Sequence, residues 1–255
     1  MVPTVAHFNV TPVKSTALQH PDVIIVTELG VEGDHRFLFL NEQGRRLSEA
    51  GKAPLLSIQT SFDPWKGVLR AVSSDGNTVE ADVSGDGESI EIGLYDRAVT
   101  GRVVGASIAE AVSEWAGHRL RLVRVDEPEY AGGEHRLTLV SLASVRDLGR
   151  RGGLDGEGPD SRRFRMTVEL EDCEPYEEDS WNGSRVRMGD VVVRVGGGVP
   201  RCVLTTMNPV TGEKDFPTLE VLASFRRRDG ELPFGVYADV VQPGRIRVGD
   251  AVEPL

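Results

Sequence analysis

Apolar residues in the first hundred positions come in short runs: VIIVTEL, RFLFLN, LLSIQTSF, VLRAV, TVEADV and SIEIGL. Several of these runs alternate apolar with polar, the period-two signature of strands with one buried face. Between them lie LGVEGD, NEQG, SSDGN and SGDGE, whose Gly, Asn and Asp suit turns that need positive φ. The pattern over 1–105 predicts a β-barrel or sandwich rather than βαβ units. The period then changes. In SIAEAVSEWAG, Ile108, Ala111, Val112 and Trp115 fall at helical spacing, which predicts a helix over 107–117 with Ser107 as N-cap and Gly117 as stop. The strand RLRLVRV follows. It leads into DEPEYAGGEH, a polar loop that is the expected boundary region.

The second half opens with RLTLVSLASVRDLGRRGG, read as a strand running into a short helix that Gly152 and Gly153 end. RFRMTVEL reads as a strand. DSWNGSRVRMGDVVVRVGG reads as a hairpin pair around turns at Asn182-Gly183 and Gly189-Asp190. PTLEVLASFRRRDG predicts a helix with Pro217 near its first turn and cations in its last. FGVYADVV and GRIRVGDAVEPL close the chain with more strands. The sum is a mainly β protein with a few helices.

Composition narrows the function classes. The chain has 255 residues, 39% hydrophobic and 27% charged, the profile of a water-soluble globular protein. Its net charge of −11 argues against a nucleic-acid partner and leaves room only for a local basic pocket. Apolar runs all fall far short of the roughly 20 residues a membrane span needs, so no membrane partner is expected. The N-terminal MVPTVAHFNVTPVKS lacks the pattern of a secretory signal. Two cysteines, Cys173 and Cys202, with no CxxC, build neither a zinc ribbon nor an iron–sulfur cluster. A reducing cytoplasm fits best.

Few residues advertise chemistry on their own. The five histidines show no HxH or HExxH spacing, GGGVP is not followed by the GK[ST] of a P-loop, and there is no GxSxG elbow. The acidic clusters DEPE, ELEDCE and YEEDSW read as solvated loops. Arg163 and Arg165, two apart in RFRMTVEL, share a face of the expected strand; they either line a wet outer surface or converge on an anion. Lone cysteines are usually buried. Cys202, in GGGVPRCVLTT, therefore reads either as core or, in a positive environment, as a ligand or nucleophile.

Taken together, the motifs decide more. RFRMTVELEDCEPYEEDSWNGSRVRMGDVVVRVGGGVPRCVLTTMNPVTGE and the ending FGVYADVVQPGRIRVGDAVEPL resemble the MOSC domain, and the upstream TPVKS and GDHRFLFLNEQGR resemble the β-barrel domain that precedes it in the branch containing the mitochondrial amidoxime-reducing component and its bacterial relatives. The resemblance implies two units, a β-barrel-like domain over 1–122 followed by a β-barrel MOSC domain over 123–255, and a molybdenum cofactor, a pterin dithiolene whose metal takes a cysteine thiolate at the position of Cys202. It implies cofactor contacts from Lys14, Ser15, Arg165, Arg201 and Tyr237, with Arg163 as an assisting cation. Relatives commonly read D-R-R-F where this chain has Asp34-His35-Arg36-Phe37, so either His35 or Arg36 takes the arginine's place. They commonly read R-P-N where Met166 and Thr167 follow Arg165, which leaves Thr167 to supply the hydrogen-bonding group.

The implied activity is two-electron reduction of small N-hydroxylated compounds (amidoximes, hydroxylamines, N-hydroxylated bases). No iron–sulfur cluster is expected in this chain, so electrons would come from a separate ferredoxin, flavoprotein reductase or cytochrome. The alternative is a non-catalytic carrier of molybdenum cofactor, or of sulfur on Cys202. A third reading, an interaction module with Cys202 in its core, predicts no bound metal.

Overall fold

The computed structural model describes residues 2–94, 97–126, 135–156 and 158–255. Most of DEPEYAGGEH, the expected boundary loop, lies outside the described residues. The first half contains β1 (Thr4–Phe8), β2 (Val23–Thr27), β3 (Gly30–Val31), β4 (Phe37–Asn41), β5 (Gln59–Asp63), β6 (Val68–Val72), β7 (Thr78–Asp82), β8 (Ser89–Leu94), β9 (Arg97–Val103) and β10 (Leu120–Val125). Among them sit α1 (Glu49–Lys52) and α2 (Ala106–Ala116). The second half contains β11 (Leu137–Ser141), β12 (Val168–Glu171), β13 (Arg185–Met188), β14 (Val191–Pro200), β15 (Pro233–Gln242), β16 (Gly244–Arg247) and β17 (Val252–Pro254), with α3 (Leu142–Arg151) and α4 (Thr218–Phe225). The protein is mainly β with a few helices, as the alternation predicts.

Seven strands form one sheet in the order β1-β12-β11-β15-β14-β13-β17. Its two edges meet: Thr4 bridges Ala251, and the Val252 amide donates to the Pro3 carbonyl at 2.8 Å. The sheet thus curls into a barrel, which removes the open edge that strands otherwise expose. Alternate residues point inward and fill it, among them Leu137 and Leu139, Val168 and Leu170, Val191 and Val193, Val236 and Ala238. β1 belongs to this sheet, and β2 pairs with β16, so pairing crosses the expected division at residue 122.

Earlier residues build a half-barrel, β4-β10-β9-β8, beside the sheet β5-β6-β7, with α2 packed on both. FLFL on β4 is buried on both faces, Phe37 and Phe39 toward α2 and β6, Leu38 and Leu40 toward β8 and β9. That double burial explains why the run is continuously apolar. Helix α2 starts one residue before the expected 107, and its N-cap is Gly105 in the left-handed region rather than Ser107.

Outside the second barrel, α3 and α4 cover Val140, Phe164, Met166, Val199 and Phe234. Ser141 caps α3, its hydroxyl accepting from the Ala143 and Ser144 amides, and Gly152 follows the helix as expected. Helix α4 stops at Phe225, short of the arginines, so the expected cations in its last turn lie beyond it. Arg226 instead turns inward.

The acidic run 177–181 is not a solvated loop. It is a 3-10 turn with Glu178 and Trp181 buried. Asp179 accepts two bonds from Arg226, at 2.7 and 3.1 Å, and Arg226 also holds the Pro233 carbonyl at 2.8 Å. This turn therefore ties the end of α4 to the start of β15.

Candidate active site

β14 ends at Pro200, and the Arg201 amide still bonds the Leu232 carbonyl at 3.1 Å. Cys202 is extended, at φ −113° and ψ 177°, and opens a 3-10 turn over Val203–Thr206. Its carbonyl accepts from the amide and hydroxyl of Thr205, at 3.1 and 2.9 Å. Its backbone is fixed while its side chain is exposed, and neither cysteine is in a disulfide. The reading of Cys202 as core filler is thereby overturned. Cys173 is the packed one: half-buried, with burial and the neighbouring Glu177 and Glu178 pushing its thiol up to about 12.

Arg201 points away from the cysteine. Its Nε donates to the Phe234 carbonyl at 2.9 Å and its Nη1 to the Phe164 carbonyl at 3.0 Å, with Nη2 against Phe234 and Met166. Burial pulls the guanidinium down to about 10, while Tyr237 and Cys202 nearby act in the opposite direction. It stays charged at neutral pH. Carbonyl oxygens and the Met166 sulfur, not carboxylates, are its hydrogen-bond acceptors.

Of the three glycines before Cys202, Gly198 has a packing reason. A Cβ on Gly198 would stand 2.6 Å from the Pro233 side chain, where β14 is bulged against β15. The tight crossing brings Arg201 against the Phe234 carbonyl.

Arg163 and Arg165 do not share a strand face. Ser161–Phe164 is a 3-10 turn capped by Asp160, Arg165 is left-handed at φ 51°, and the strand begins at Val168. The turn separates the two guanidiniums. Arg163 is buried and structural: it pairs with Asp215 at 2.9 and 3.2 Å and holds the Thr205 and Met207 carbonyls at 3.2 and 3.3 Å. It braces the turn that carries Cys202. Arg165 takes the other direction, donating to the Thr16 carbonyl at 2.8 Å. Burial lowers it to about 10, with Asp34 offsetting part of the cost.

Thr16 closes the turn on which Lys14 and Ser15 sit. The Lys14 amide bonds the Phe37 carbonyl at 2.8 Å, and Ser15 is left-handed at φ 73°. Hydroxyls of Thr11, Thr16 and Thr60 interlock beneath it at 2.7 and 2.9 Å. Asp34 joins the same corner, accepting from the Thr11 amide at 2.7 Å and lying 2.5 Å from His35 Nδ1. His35, also left-handed at φ 48°, is thus held beside the acid nearest Arg165. Arg36 is half-buried and its carbonyl accepts from Val125 at 3.0 Å. Ser15, His35 and Arg165 are three of six non-glycine residues with positive φ among those described, and strain of that kind gathers where function fixes geometry.

Thr167 is buried, its amide and hydroxyl meeting the Thr138 hydroxyl at 2.9 and 3.2 Å. Thr138 lies opposite Tyr237 in the β11–β15 register. Tyr237 stacks on His135 with centroids 4.4 Å apart, and His135 Nδ1 lies 3.0 Å from Asp239. Thr138, His135 and Asp34 were not foreseen; only the polar Thr138 interrupting LTLV hinted at a role.

The barrel rim thus gathers Arg201, Cys202, Tyr237 and Thr167, while the Phe164 carbonyl links Arg201 to the stretch carrying Arg165, which in turn meets the Ser15–Thr16 turn and the Asp34–His35 corner. Residues 126–253 match the MOSC domain. The chain belongs to the MOSC domain family. Relatives of this MOSC protein include mitochondrial amidoxime-reducing component 1 of Mus musculus, 29% identical over 98% of this chain and 82% of that protein. The molybdenum cofactor sulfurase of Drosophila grimshawi is 26% identical over 92% of this chain, which spans only 32% of that protein. Among solved structures, the YUAD protein from Bacillus subtilis aligns with a TM-score of 0.48 at 11% identity, covering 99% of this chain and 94% of that one.

Among the described residues, no three His, Cys, Asp or Glu side chains are grouped to hold a bare metal ion. A metal at Cys202 must bring its other ligands with it. One exposed soft donor, with the Arg201 guanidinium near it, fits a group that carries its own sulfur ligands and an anionic end. No helix among the described residues is long and apolar enough to cross a membrane.

Proposed function

We propose that this MOSC protein is a molybdenum-cofactor-dependent reductase of small N-hydroxylated compounds, acting in the cytoplasm with electrons from a separate ferredoxin, flavoprotein or cytochrome. The observation that carries the reading is the exposed Cys202 thiol on a fixed backbone, next in sequence to a half-buried guanidinium whose hydrogen-bond acceptors are two carbonyls and the Met166 sulfur. Similarity to an amidoxime-reducing component along 98% of the chain supports the same reading.

A bound molybdenum pterin dithiolene supplies two-electron redox chemistry. The protein's own residues do the rest. Cys202 is the thiolate ligand that anchors the metal. Arg201 and Arg165, with the Lys14–Ser15 turn, hold the anionic end; Thr167 and either His35 or Arg36 complete the hydrogen bonding. Tyr237, backed by His135, gives a flat wall. Conversion of an N–OH group to N–H takes two electrons and two protons and releases water.

The test is expression in a host that makes the cofactor, with molybdenum and pterin counted per chain. Wild type should hold about one of each and reduce benzamidoxime when given a competent donor. Cys202→Ser should lose most of the metal; full retention would overturn the ligand assignment. Wild type without molybdenum would sink the function. Cofactor bound with no turnover would favour the second reading, a carrier of cofactor or sulfur, which the similarity to a cofactor sulfurase supports.

A further inference from the structure

A cavity of about 650 Å³ opens beside the rim, within the size range of small-ligand pockets. The β5–β6 hairpin forms one wall, through Gln59 and Arg70. The segment following the Lys14–Ser15 turn forms another, and Val210, in the loop beyond Cys202, a third. Arg162 and Arg165 close it on the barrel side. Its charge is one-sided: three arginines and, among the described lining residues, no carboxylate, in a chain of net charge −11. Two of the three have acidic partners outside the lining. Asp160 neutralises Arg162 at 2.6 Å, and Glu80 lies a loose 3.4 Å from Arg70 on the exposed surface. Arg165 has a carbonyl as its hydrogen-bond acceptor, with Asp34 near it but outside the lining. The Gln59 amide and the Ser74 hydroxyl supply neutral donors around them.

We propose that this cavity seats an anionic group on the substrate, so that the protein prefers N-hydroxylated compounds carrying a phosphate, such as nucleotides, over uncharged ones. The inference rests on the reductase reading for the chemistry, but the seat itself depends only on the cavity. Arg70 would grip the phosphate from the hairpin wall, since a guanidinium fork matches its oxygens, while Arg165, holding the cofactor's anionic end, would add only longer-range positive charge. The same anion chemistry has a second source, the phosphate end of the bound cofactor, and the two are separable.

Binding of adenosine 5′-monophosphate and of adenosine is measured by calorimetry on the full chain, purified with cofactor and, separately, without it. The nucleotide should bind the loaded protein at least about 10-fold more tightly than the nucleoside, an advantage that falls with salt. Arg70→Gln, at a surface position, should remove most of that advantage, as should Val210→Glu at the mouth. Equal binding of the two compounds would overturn the seat. Nucleotide binding confined to cofactor-free protein would also overturn it, by giving the cavity to the cofactor. In turnover, N6-hydroxyadenosine 5′-monophosphate should show a lower KM than N6-hydroxyadenosine, with the gap closed by Arg70→Gln. Turnover of neither, with nucleotide binding intact, would support the seat and count against the reductase.

Discussion

Glu178 is a carboxyl with no water around it. It sits at the N-terminus of α3, accepting from the Ser144 hydroxyl at 2.9 and 3.1 Å and from the Ser141 amide at 3.3 Å. Burial outweighs these bonds, and Asp179 adds repulsion, so the group rises from 4.5 to about 7. The folded state therefore binds a proton that the unfolded chain releases between these values. Stability from this group is full below pH 4.5 and lost as pH climbs through 7, by about 3 kcal/mol in all. Asp160, Asp215 and Glu171 are shifted downward and act oppositely, losing stability in acid. Subtraction isolates the effect. Urea unfolding at pH 5 and pH 8 should show Glu178→Gln gaining on wild type at the higher pH; parallel curves would refute it. At this scale Cys202 and Arg201 were legible, because the motif PRC marks them. Burial was not, since the groups that enclose Glu178 are more than thirty positions away.

Among the elements, the 3-10 turn over 177–181 holds the site together from behind. Asp179 grips Arg226, Arg226 holds the Pro233 carbonyl, and the next carbonyl, that of Phe234, is the one that orients Arg201. Arg226→Leu leaves a partly buried carboxylate without its cation, at a cost of about 3 kcal/mol or more. Its denaturation midpoint should fall accordingly, and adding Asp179→Leu should recover most of the loss. A midpoint unchanged in the single variant would show the pair to be idle. Sequence periodicity missed this turn, and it misread RFRMTVEL for a related reason. Alternating basic and apolar residues suit a strand, but Asp160 caps a 3-10 turn there and Arg165 reverses the chain at positive φ. Local pattern does not see a cap that outcompetes it. Where pattern and packing agree, as in β11 running into α3, the reading held to within a residue or two.

The whole molecule is knotted together more than its sequence suggests. Alternation located most of the strands but not their partners, because β1 pairs with β12 across some 160 positions, and β2 with β16 across more than 200. Val5, Phe8, Ile24, Val26 and Val31 are all buried in the core of the second barrel. A fragment of residues 123–255 would lack all five, and would leave the free edges of β12 and β17 exposed where β1 joins them. Each buried side chain of this size contributes roughly 1.5–3 kcal/mol, so their joint loss equals or exceeds the entire stability of an ordinary domain. The fragment should therefore be aggregated or molten, with weak near-ultraviolet dichroism and no cooperative thermal transition. Joining residues 2–31 to it through a flexible linker should restore a cooperative transition and Cys202 on an ordered turn. If 123–255 alone unfolds cooperatively, the second barrel does not need its N-terminal strands, and the division at 122 stands as a boundary between independent folding units.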